Sequence, residues 1–191
     1  MTDQVKSNKA LVILAKGLSY LFHPVLIPSL GILLLFRSGS YFSLLPFEAR
    51  KSIFIIVVIT TLTLPISVLP FFVYRKLIHS IEMGKRTERL IPFGITLLFY
   101  CFGLYILIHA GAPAVANVYM LTACVGLFLT LIISFFWKIS AHMTGLGGLT
   151  ALSLFMSVYL FSYDPLWVYA PVLVSGIGAS ARIYLGEHSP W

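Results

Sequence analysis

Charge is what this sequence has least of. Only 10% of its 191 residues are Asp, Glu, Lys or Arg, against about 25% in an ordinary soluble domain. The acids are scarcest, six against thirteen Lys and Arg. With 59% hydrophobic residues, the chain lacks the polar surface that a free soluble domain needs, and an integral membrane protein is the class that remains. Cysteine is almost as rare. Cys101 and Cys124 stand in apolar runs with no CxxC spacing and no histidine at ligand distance, which argues against a disulfide framework or thiolate metal site and leaves them as small core residues. The deficit of acids leaves a net charge of +7. No basic face interleaved with aromatics accompanies it, so nucleic acid is not an expected partner, and anionic lipid headgroups are. A small-x-small cleavage site is also missing before Arg37, so the polar opening from Met1 to Lys9 reads as an uncleaved N-terminus.

What is present is a series of long apolar runs. Crossing about 30 Å of hydrocarbon takes about 20 apolar residues as a helix. Ala10 to Phe36 is the first such run, interrupted by Lys16, His23, Pro24 and Pro28 and therefore expected to kink; His23-Pro24 reads as a polar group at a helix break rather than a ligand. A loop from Arg37 to Lys51 leads to the second run, Ser52 to Tyr74. The charged loop Arg75 to Arg89 precedes the third, Ile91 to Ala110. Gly111-Ala112-Pro113 is a tight turn before the fourth, Val115 to Trp137. The fifth, His142 to Phe161, follows a polar punctuation at Lys138 to His142. Its Gly145, Gly147, Gly148 and Ala151 suit close helix packing better than a dinucleotide fingerprint, since no strand precedes them. Leu166 to Ala179 is the sixth. In lipid only helices or closed barrels satisfy the backbone, and these runs lack barrel alternation. The expected fold is all-α, a polytopic membrane bundle of about six transmembrane helices forming a single domain over 1–191.

Six spans alternate sides, which gathers the polar punctuation on one face. Lys85, Arg86, Glu88 and Arg89 fall there, with Lys138, Ser140 and His142, and with Arg182, Glu187 and His188. The other face carries Arg37, Glu48, Arg50, Lys51 and Asp164, none clustered with a histidine. Polar groups at membrane depth cost several kcal/mol, roughly 2.5–3.5 on insertion scales, so a cluster of them marks a functional site. Two histidines among several fixed cations suit phosphoryl transfer. Arg and Lys hold the charged equatorial oxygens, one imidazole attacks phosphorus and another protonates the leaving oxygen. Zinc would want three or four ligands, and no thiolate or HExxH supplies them, so no metal and no cofactor is expected.

The end of the chain resembles a known pattern. Arg182, five intervening residues and His188 match the third signature of the PAP2 phosphatase superfamily (type 2 phosphatidic acid phosphatases), with Ala181 where the family has serine. Ser140-Ala141-His142 resembles the second signature, Pro-Ser-Gly-His, with Ile139 for the proline. Lys85 through Arg89 to Pro92 loosely echoes the first, with Ile91 directly before the proline. The resemblance implies that His188 is the nucleophile and His142 the general acid, with Arg182, Ser140, Lys85 and Arg89 binding the substrate phosphate. The family's acid four residues after the nucleophile would fall beyond Trp191, so either Glu82 or Glu88 orients His188 or the orienting group is missing.

The resemblance thus implies a metal-independent membrane lipid phosphatase. It would hydrolyse a lipid phosphate monoester or pyrophosphate through a phosphohistidine, in the inner (cytoplasmic) membrane of a bacterium. The alternative is a lipid-phosphate binding or transport protein that has kept the basic pocket and lost turnover. Lys and Arg near the shared face number nine against three opposite, which the positive-inside rule would place in the cytoplasm. With four of the nine set aside for substrate the bias is weak, and the family's bacterial lipid phosphatases generally face outward, which sets the expected orientation.

Overall fold

The computed structural model describes residues 9–37, 39, 41–78, 87–137, 139–159 and 166–186, and among these every regular element is helical. The first predicted span is two helices, α1 (Lys9–Leu21) and α2 (Ile27–Arg37), on either side of a 3-10 turn at Pro24–Leu26. Pro24 has no N–H to continue α1, but it can open a new turn. His23 before it is extended (φ −62°, ψ 135°), and its Nδ1 accepts the Val25 N–H at 3.4 Å. The break lets the two halves serve different neighbours: α1 packs along α8 (Leu166–Tyr184), while α2 packs on α3 (Phe47–Val58), α6 (Ala114–Ser134) and α7 (Ala141–Tyr159).

The second span begins at Phe47 rather than Ser52, because Pro46 opens the helix. It runs through α3, a widened π turn at Ile59–Thr63, and α4 (Leu64–Tyr74). Pro65, which gives no N–H to the turn before it, sits just after the widening, the usual position for such a bulge. Thr60 and Thr61 are buried there and return their hydroxyls to the Ile56 and Val57 carbonyls at 2.8 Å each. Buried hydroxyls in lipid need such partners. A Cβ on Gly103 of α5 (Leu90–His109) would run into the Thr60 hydroxyl, so glycine is what allows α5 to approach this turn.

Helices α5 and α6 form a hairpin through Gly111, whose φ of +69° only glycine adopts without strain. Helix α7 pairs with α8. Ile32, Leu35, Val57, Leu107, Met120 and Met156 make the dry centre of the bundle. Among the described residues five stretches, 9–37, 47–74, 90–109, 114–134 and 141–159, are long and apolar enough to cross a membrane. The sixth predicted run is α8, whose 19 residues reach about 28 Å at 1.5 Å per residue. The protein is an all-α, multi-pass integral membrane bundle. Its outer surface agrees, since Leu98, Phe102, Leu121 and Leu154 lie exposed in mid-helix, as only a lipid solvent tolerates at this scale. Tyr74 and Trp137, 82% and 74% exposed, stand at the end of α4 and just past the end of α6, where amphipathic rings meet headgroups.

Two sequence expectations change. Close packing holds for Gly145, where a Cβ would meet Ile27 at 3.0 Å, but Gly147 and Gly148 have open space in front of them. Of the cysteines only Cys124 lies in the core; Cys101 is exposed on α5.

Candidate functional site

Helix α7 begins where Ser140 caps it. The Ser140 hydroxyl accepts the Met143 N–H at 3.4 Å, and its carbonyl accepts the Thr144 N–H at 3.0 Å and the Thr144 hydroxyl at 3.2 Å. His142 therefore sits in the first turn, where it reaches the Ser19 carbonyl of α1 through Nε2 at 3.2 Å. A carbonyl only accepts, so Nε2 carries the hydrogen and Nδ1 is left for other work. Ser19 lies in the last turn of α1, whose carbonyls lose helical partners where the helix stops. Across the break, the His23 ring meets the His142 ring edge to face, with centroids 5.3 Å apart and planes at 80°.

Arg89 closes a 3-10 turn (Thr87–Arg89) ahead of α5 and is buried, 6% exposed. Its Nη1 donates to the Ile139 carbonyl at 3.1 Å, tying the start of α5 to the approach to α7. Arg182 occupies the last turn of α8, where the helix dipole favours a cation. Both guanidinium groups lie within electrostatic reach of His142, and Arg182 also of His23. Helix α8 stops at Tyr184 and Gly186 turns left-handed (φ +68°), which ends the helical register that carries Arg182.

These groups face one cavity of about 1200 Å³. Lys16, Ser19, His23, Arg89, His142 and Arg182 line its polar end, and among the described residues no Asp or Glu lines it. Most of the remaining wall is apolar or small. Along α6 it follows Ala114, Val118, Thr122, Gly126 and Thr130, one residue per turn, a stripe about 24 Å long at 1.5 Å per residue. Gly148 and Ala151 line it from α7, which gives the small residues of that helix a second use: they keep this space open. A cationic mouth on a long apolar hollow is complementary to an amphiphile with an anionic head.

Of the residues expected from sequence, the fold brings His142, Arg182 and Arg89 together. Ser140 lies next to them, but its hydroxyl is engaged in capping α7 and it does not line the cavity. Lys85, Lys138, Glu187 and His188 lie outside the described residues. Sequence reasoning missed Ser19 and Lys16 as parts of the site and placed His23 only at a helix break; a histidine inside an apolar run was the available signal. Among the described residues no three His, Cys, Asp or Glu side chains gather, and the pair His23 and His142 has arginines for neighbours, which suits an anion rather than a metal cation. No protein-family model, curated protein or solved structure matches the chain.

Proposed function

We propose that this protein hydrolyses the phosphate monoester or pyrophosphate of a membrane lipid without a metal, in the manner of the PAP2 phosphatases, at the inner membrane of a bacterium. The observation that carries the reading is the meeting of His142, Arg182 and Arg89 at the polar end of an otherwise apolar cavity. The lipid enters from the bilayer, its chain lies along α6, and its phosphoryl oxygens are held by the guanidinium groups. His188 attacks phosphorus through a ring nitrogen, and the bond from phosphorus to the lipid oxygen breaks. His142, protonated on both ring nitrogens as the dianion arrives, gives the Nδ1 proton to the leaving oxygen. Water, deprotonated by the now neutral His142, then attacks the phosphohistidine, releasing phosphate and restoring both imidazoles.

A second reading, a lipid-phosphate binding or transport protein without turnover, is favoured by one observation: Ser140, expected on the phosphate, caps α7 and does not line the cavity. Phosphate release from a panel of lipid phosphates by the purified protein separates the two. The enzyme is expected to work in EDTA and to be stopped by vanadate, which takes the five-coordinate geometry of a transferring phosphoryl group. Binding without release across the panel would overturn the enzyme in favour of the binder, and loss in EDTA restored by a divalent ion would overturn the mechanism.

A further inference from the structure

His23 is a titratable side chain inside an apolar stretch, and the reaction proposed above gives it no role. Capping is the simplest account, since its Nδ1 accepts the Val25 N–H. The turn it caps is only three residues, and Asn, Asp or Ser caps a helix start with a smaller side chain. Capping also uses only half of the ring. With Nδ1 accepting, the hydrogen of the neutral imidazole is on Nε2, and among the described residues no acceptor is recorded for it. The ring lines the same cavity end as Arg182 and His142, and no carboxylate is among the described residues that line the cavity. The packing of α1 along α8 holds the segment bearing His23 near the helix bearing Arg182.

We propose that His23 is a direct ligand of the phosphoryl group, donating from Nε2 to an oxyanion that Arg182 also holds, and that the break between α1 and α2 serves to aim it. This rests on the reading of the cavity as a lipid-phosphate site, but not on turnover. It makes the phosphate pocket a product of four chain segments: the α1–α2 break, the start of α5, the start of α7 and the end of α8.

The test uses the full chain in lipid nanodiscs and two probes, orthophosphate and dioctanoyl phosphatidic acid. His23→Asn keeps an acceptor where Nδ1 was and so preserves the cap, whereas His23→Gln places an amide N–H near the position of Nε2. If His23 only caps, Asn is the better replacement. If it binds phosphate, Asn retains the wild-type melting temperature but binds both probes about 10–100-fold more weakly, the loss expected for one hydrogen bond to a charged group, and Gln stays closer to wild type. Wild-type affinity in the Asn variant, or a loss confined to the lipid probe, overturns the proposal. Should the Asn variant not fold, the ring of His23 in 15N-histidine-labelled wild type reports directly: its Nε2–H resonance moves on adding orthophosphate, and a resonance that stays put overturns the assignment. Binding that depends on His23 without phosphate release ends the enzyme reading and leaves this one standing; a wild type that binds neither probe ends both.

Discussion

An imidazole with one nitrogen committed to a backbone carbonyl has one nitrogen left for chemistry, and that is the position of His142. Its replacement by Ala should lower phosphate release by about 10²–10⁴-fold. The loss should be smallest for substrates whose leaving group needs no proton, a comparison made by running an aryl phosphate beside a lipid phosphate. Arg182→Ala should cost about 10²–10³-fold in rate and weaken binding as well, because the guanidinium holds the ground state and the transition state alike. Ser140→Ala separates capping from phosphate contact. As a cap its loss should lower stability by about 0.5–2 kcal/mol in denaturation and leave KM for a lipid phosphate nearly unchanged, whereas a large rise in KM at unchanged stability would restore the phosphate role. Arg182 and His142 were legible in the sequence because a charge at the edge of an apolar run has few explanations. The pairing of His23 with His142 was not, because its ring partner lies on α7, far along the chain, and only packing brings the two together.

Helix α7 shows how one element can serve two demands with the same residue type. Gly145 brings it against Ile27, while Gly148 faces open space and the cavity. Gly148→Leu should therefore not clash, and removing a mid-helix glycine favours the fold by about 0.5–1 kcal/mol. The expected result is an unchanged or raised melting temperature, near-normal orthophosphate binding, and a clear loss of affinity for long-chain relative to short-chain lipid phosphates. Equal affinity for both chain lengths would show that the stripe along α6 does not hold the chain. The helices themselves were readable from apolar length, since lipid leaves the backbone little choice. The π turn was not, because Thr60 and Thr61 carry no sequence mark beyond their distance from Pro65, and the use of α7 glycines for space rather than contact depends on what stands opposite them.

For the whole molecule, the meeting of the polar starts of α5 and α7 with the end of α8 was legible and orientation in the membrane was not, because Arg89 and Arg182, which would vote in a positive-inside count, also line the cavity. Lys76, exposed just past α4, is on the face that carries the site. A cysteine there, in a background lacking Cys101, should be modified from outside by an impermeant reagent on intact cells; modification only after lysis would place the site in the cytoplasm. The contact of α1 with α8 has one more consequence, and it concerns time. Helices enter the bilayer in the order in which they are made, so the segment bearing His23 is present from the start while Arg182 arrives with the final described helix. At roughly 5–20 residues per second, the roughly 160 residues between them delay completion of the pocket by roughly 8–30 s. Until then α1 has no α8 to pack against and the histidines have no Arg182 beside them, so a nascent chain arrested before α8 would hold most of the cavity wall and only one of the two arginines that grip the phosphate.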